Sequence, residues 1–427
     1  MSASASRTTS TDYRHPFRPW PIALANRLGR GLTALGGPRV DLSEAGLLAC
    51  ARRRARLKDF GDESFLPRMR VLLESLERES ALSPVGRFLT REKLVGNLVN
   101  RLRIAEILRR EPELRDRKPA PLVVIAGLQR TGTTMLHRLL AADPDVRHLA
   151  SWEALNPAPL DLDAPVTPRD QDPRIRMARM AERALAYMAP DFFAIHPVQA
   201  TAPEEDVLLL DLSFLSTVPE ATYHVPHYAA WLEAQDHRAA YRELATTLVI
   251  LERTQRRDRW VLKTPHHLEH LDALLAVFPD ATIVQTHRDP ARVVASFCSM
   301  IAHGRGVMSD AVDPEVVGRH WLRKQVRMVT RAMEVRDQLG DRRFVDVQYA
   351  ELVAEPIAAV RRIYERLGTP LGDAAESAMR AWIAANPQHR HGRHRYALED
   401  FGLTGSQVEQ AFSAYRARFA IPREERS

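Results

Sequence analysis

Only two cysteines, Cys50 and Cys298, occur in this 427-residue chain, and they stand far apart. Without paired cysteine spacing, a disulfide scaffold and a cysteine-based zinc framework are excluded, and a reducing cytoplasm is the expected setting. No stretch approaches the roughly 18 consecutive apolar residues of a membrane-spanning helix. The opening MSASASRTTSTDYRH lacks the apolar core of a secretion signal. A strong charge of one sign is also absent: 61 basic against 54 acidic residues leave +7. The basic residues gather locally, in 52-RRRARLK-58 and 389-HRHGRHR-395. Composition alone does not separate an anionic ligand from nucleic acid; the motifs favour the ligand, and no nucleic-acid partner is expected. With 45% hydrophobic residues, the chain can bury one large core or two ordinary ones.

Residues 1–16 are Ser/Thr-rich and predicted to be disordered. Residues 19–35 have amphipathic helical spacing; packing on the main domain is expected, with peripheral membrane contact as the alternative. From 42 to 110 the apolar residues recur at helical spacing and carry no visible chemistry. Pro119 and Pro121 mark a boundary, dividing a tail and helical extension (1–119) from a main domain (120–427). Within that domain, 122-LVVIAG-127, 281-ATIVQTHRD-289 and 342-RRFVDVQY-349 read as strands, alternating with helical segments. The expected fold is α/β: a parallel sheet flanked by helices, with a helical acceptor-side insertion or lid over 155–260.

One missing lysine is the most informative absence. The stretch 127-GLQRTGTT-134 has the glycine spacing of a phosphate-binding P-loop, with Thr133 where the lysine should stand. It follows a buried strand and opens a helix. Backbone N–H groups and the helix N-terminus bind phosphate without a lysine. Thr131, Thr133 and Thr134 offer hydroxyls, and Arg130 offers charge. The missing lysine, and the lack of a carboxylate suited to magnesium, argue against a kinase or ATPase.

These residues resemble the P-loop sulfotransferases, in a layout similar to the bacterial branch and to tyrosylprotein sulfotransferases. The segment 130-RTGTT-134 matches the family loop for the 5′-phosphosulfate of 3′-phosphoadenosine 5′-phosphosulfate (PAPS). Arg288, Asp289 and Pro290, with Ser296 eight residues after the arginine, match its 3′-phosphate motif. A Tyr-x-x-Leu segment resembles the adenine border and points to Tyr349. A basic, glycine-containing loop near the C-terminus points to Arg393, with Arg395 close behind. The resemblance implies PAPS as co-substrate, with Arg130, Thr131, Gly132, Thr133, Thr134, Arg288, Ser296, Tyr349 and Arg393 around it, and no metal.

The acceptor hydroxyl must lose a proton, and charge on the leaving phosphate must be stabilised. By resemblance in spacing, Glu153, 20 residues after Thr133, is the first candidate base. Lys263, 25 residues before Arg288, resembles the lysine of the family's Lys-x-Pro element, which implies a place near the bridging oxygen. His266 is expected to line the acceptor site or act as an alternative base, and Glu204 or Glu205 is a rival to Glu153 as base. His267 and His270 read as helix surface, since no Cys or carboxylate framework accompanies the histidines. Aromatics, prolines and histidines interleave in 191–206 and 214–232, a composition suited to a small-molecule alcohol or phenol. A P-loop phosphotransferase and a non-catalytic nucleotide binder are the competing functions. The sequence leaves the oligomeric state open and admits self-association.

Overall fold

A computed structural model describes residues 12–386 and 396–424. Five strands form one parallel sheet: β1 (Leu122–Ile125), β2 (Val146–His148), β3 (Arg259–Lys263), β4 (Thr282–His287) and β5 (Phe344–Gln348), in the order β2-β3-β1-β4-β5. All four β1 side chains are buried, as a parallel strand covered on both faces requires. Along each strand, alternate residues serve opposite cores. Leu122, Val124, Trp260, Leu262 and Ile283 face one cluster, and Val123, Ile125, Val261 and Val284 face the other. The first cluster also holds Leu47, Phe65 and Leu98 from the N-terminal helices, so their apolar faces share a core with the sheet.

The segment 42–110 is helical as expected, in three helices: Glu44–Ala55, Phe65–Glu79 and Pro84–Arg110. The stretch 155–260 is also mostly helical. Residues 1–11 of the expected disordered tail lie outside the described residues, but 12–16 do not fit that expectation. Tyr13 is buried against Phe401 and donates its hydroxyl to Ser299 (3.1 Å). The strand β2 was not anticipated, because three residues are too few to show a period.

Register delivers the chemistry. β1 lies between β3 and β4, pairing Ile125 with Lys263 on one side and with Val284 on the other. Lys263, the loop after β1, Arg288 after β4 and Tyr349 after β5 therefore all emerge at the carboxyl edge, where open α/β sheets hold ligands.

Candidate active site

The loop after β1 turns through two left-handed residues, Arg130 (φ 69°) and Gly132 (φ 87°), before the helix Thr133–Leu140 begins. Such a turn gathers backbone donors into an anion-binding concavity. Side chains fix it. The Thr131 hydroxyl lies 2.6 Å from both the Leu128 carbonyl and the Thr286 hydroxyl on β4. Thr131 is fully buried, so its side chain holds the loop to the sheet rather than offering the free donor expected of it. Gly127 has no room for a side chain, since a Cβ would overlap the Thr286 hydroxyl. Thr133 is buried at the helix start, and Thr134 is exposed.

The two expected phosphate motifs meet. Arg130 Nε donates to Ser296 Oγ (3.0 Å), and Arg288 donates to the Arg130 carbonyl (3.0 Å). Arg288 also stacks on the Tyr349 ring, 3.9 Å from its centroid. Burial and the neighbouring Arg288 charge hold the Arg130 guanidinium below its usual range. Two clustered guanidiniums of this kind need an anion. Arg288 has one, a bidentate pair with Glu424 near the C-terminus (2.8 and 2.9 Å). Arg393 and Arg395 lie outside the described residues.

Glu153 is a correction. It is fully buried, and Arg147 on β2 grips it with two bonds (2.5 and 3.1 Å) while Arg169 adds a third at 3.0 Å. Its carboxylate also accepts the Ala150 N–H (3.0 Å). Burial opposes ionisation, yet the two guanidiniums pull its pKa down to about 2. A carboxylate so committed is a structural anion and a poor proton acceptor.

The groups free to do acid–base work lie elsewhere. A cavity of about 470 Å³, with mainly apolar walls, runs from Gln129 of the phosphate loop to Phe297, Ile301 and Trp321. Both stretches singled out for composition contribute to it, through Phe192, His196, Val198, Thr217 and Ala221. Its polar lining includes Glu204, Glu205, Thr264 and His266. Lys263 Nζ donates to Glu205 Oε1 (2.6 Å), and the Thr264 hydroxyl donates to Glu205 Oε2 (3.2 Å). The Lys263 amide is anchored by Asp206 (3.0 Å). Burial holds the His196 imidazole below its usual pKa, although the Glu204 and Glu205 carboxylates pull it upward. His196 was not singled out by sequence; its nearness to 203-PEED-206 was the available signal.

His267 and His270 are buried, contrary to the surface expected of them. They belong to the tight turn Pro265–Glu269 and its cap, which packs against the helix Pro314–Leu339. The His267 ring nitrogens lie near the Tyr241 hydroxyl (2.9 Å) and the Asp206 carboxylate (3.0 Å). His237, His266 and His270 bring one nitrogen each within 4.8 Å of one another. A metal must lie in the plane of each ligating ring, however. The His237 and His270 rings stack at 3.5 Å with planes 17° apart, so one ion cannot meet both. Burial holds His266 and His270 well below the usual pKa.

A family profile described as "Sulfotransferase family" matches residues 121–373. The chain belongs to the sulfotransferase family. This sulfotransferase is 33% identical to STF1 of Mycobacterium tuberculosis H37Rv over 87% of its own length and 98% of that chain, with a TM-score of 0.77. STF9 of Mycobacterium avium is 27% identical and matches 91% of this chain and all of that one, with a TM-score of 0.82. A relative from Mycobacterium bovis named omega-hydroxy-beta-dihydromenaquinone-9 sulfotransferase Stf3 is 26% identical over 311 residues, covering 69% of this chain and 75% of that protein. The chain is thus an enzyme of sulfuryl transfer with an α/β fold, and the phosphotransferase alternative gives way.

Proposed function

We propose that this enzyme transfers a sulfuryl group from PAPS to the hydroxyl of an apolar small-molecule alcohol. One observation carries the reading: the Lys263–Glu205 pair sits where the phosphate loop meets an apolar cavity of about 470 Å³. That volume falls in the range of roughly 300–1,000 Å³ that takes a drug-sized molecule. The relative named for a hydroxylated menaquinone supports a hydrophobic alcohol.

On this reading the loop 127–134 holds the 5′-phosphosulfate, Arg288 and Ser296 take the 3′-phosphate, and Tyr349 borders the adenine. Arg130 bridges the two phosphate sites. The acceptor oxygen forms the new bond to sulfur as the sulfur–oxygen bond to the phosphate breaks, and the electron pair leaves with that phosphate. Lys263 turns from Glu205 toward the growing negative charge. Glu205, thereby released, takes the acceptor proton. Thr264 keeps its carboxylate aimed at the cavity. Glu153 and Arg147 support the wall behind.

The test incubates the purified enzyme with PAPS and a series of alcohols of increasing apolar length, and detects the sulfated product by mass spectrometry. Turnover should rise with apolar length, and Glu205→Gln should lower it by roughly 10²–10⁴-fold with nucleotide affinity kept. Preference for sugars over apolar alcohols would overturn the acceptor class. Wild-type turnover in Glu205→Gln would move the base to Glu204 or His196.

A further inference from the structure

We infer that the helix Trp20–Ala34 docks the enzyme on an anionic lipid surface, on the side of the molecule where the acceptor cavity is lined by Phe192 and Val307. The helix is mounted inside out. Its inward face is small and polar: Asn26 is buried and accepts the Val85 N–H (2.9 Å), and Gly29 lies against Pro84. Its outward face carries Trp20, Leu24, Leu28 and Leu32, exposed by 75%, 47%, 59% and 61%, with Leu35 following at 88%. Steps of four residues advance by about 40°, so these side chains form one stripe of about 120°. Single exposed leucines are ordinary on a soluble surface, but a continuous stripe marks an interaction face.

Charge identifies the occupant. From Tyr13 to Val40 the chain has five arginines and no acidic residue. Arg14, Arg18 and Arg30 pair with Asp313 and Asp310. That leaves the charges of Arg27 and Arg39 for a ligand, together with those of Arg176, Arg179 and Arg183 on the helix Arg174–Met188. Arg27 is exposed beside the stripe, while Arg30 is held by Asp310 (2.8 Å). A tryptophan and leucines beside arginines are the composition of an interfacial helix on anionic headgroups. A second copy of the same face would set arginine against arginine.

The face continues toward the cavity. Pro16 and Phe17, just before the helix, share a small pocket with Met188, Phe192 and Val307. Phe192 and Val307 also line the acceptor cavity. The helix Arg174–Met188 supplies Ala178, Ala181 and Leu185 to that cavity and exposes Met177, Met180 and Tyr187. Arg176, Arg179 and Arg183 are exposed between them. An apolar alcohol dissolved in the bilayer would thus reach the cavity without crossing water, a consequence that rests on the proposed acceptor class. The docking itself does not.

The test sediments the full chain with phosphatidylcholine vesicles, with and without phosphatidylglycerol. Binding should require the anionic lipid and weaken with salt. The double variant Leu24→Glu/Leu28→Glu should bind at least about tenfold more weakly while keeping the wild-type melting temperature and nucleotide affinity. Equal vesicle binding by variant and wild type, or no binding by either, would overturn the inference. So would a concentration-dependent dimer, seen by sedimentation velocity and abolished by the same variant, because the face would then belong to a second copy. If the variant loses vesicles but no apolar alcohol is ever sulfated, the acceptor class falls and the docking stands.

Discussion

Replacing Glu153 with glutamine should damage folding before it damages chemistry. The variant keeps the size of the side chain and removes its charge, leaving buried Arg147 without a full counter-ion. Breaking one partner of a buried ion pair costs about 3–5 kcal/mol. The pKa gives a second route to the magnitude. A fall from the ordinary 4.5 to about 2 is some 2.5 units, and at about 1.36 kcal/mol per unit the folded state gains about 3 kcal/mol. Because the folded pKa is depressed, this stability is present above about pH 4.5 and is lost as pH falls toward 2. Urea denaturation of both proteins between pH 7 and pH 3 measures it. The variant should be less stable by about 3 kcal/mol at pH 7, and the gap should narrow as the pH drops below 4.5. Residual folded variant should still turn over at a rate close to wild type. Equal stability at pH 7 would refute the ion-pair argument. Equal stability with turnover reduced a hundredfold or more would restore Glu153 as the base.

Lys263→Ala should lower turnover by about 10²–10³-fold while changing affinity for the desulfated nucleotide less than tenfold, because its charge is needed as the bond breaks; single-turnover kinetics and calorimetry separate the two. Gly132→Ala should weaken that nucleotide by about five- to thirtyfold, since the left-handed conformation at φ 87° costs a side-chain-bearing residue about 1–2 kcal/mol. A calorimetric titration with unchanged affinity would mean the loop is not held in this form when it binds. Arg288→Ala should weaken the 3′-phosphorylated nucleotide by about 1.5–3 kcal/mol and leave 5′-AMP nearly unaffected. Equal losses for both would remove the 3′-phosphate assignment.

The proposed donor side is legible in the sequence because its parts are local. A β-branched run, a glycine loop and a helix start lie within 127–134 and its flanks, and the register across the four strands β3, β1, β4 and β5 then brings Lys263, Arg288 and Tyr349 to the same edge. The acceptor side is assembled from segments more than a hundred residues apart, so no short pattern announces it. Glu153 shows the difference. Its distance from the loop suits a base, but its protonation is decided by Arg147 and Arg169, whose aim depends on tertiary packing. The histidines mislead in the same way. Their spacing suggested a helix surface, while a tight turn beneath a long helix buries them.

The pair between Arg288 and Glu424 gives the proposed nucleotide site a built-in counter-anion. Ligand entry then becomes an exchange, in which a dianionic phosphate replaces a tethered monoanionic carboxylate. The arginine is never bare, so stray chloride or sulfate gains little by visiting it, and only a ligand that brings more charge, or several contacts at once, wins the place. Departure runs the same path backwards. Glu424, held nearby by the hydrogen bond its backbone N–H donates to the Asp289 carboxylate (2.8 Å), stands at high local concentration to recapture Arg288 as the spent nucleotide lifts away. The tail thereby trades some affinity for the speed at which the site empties.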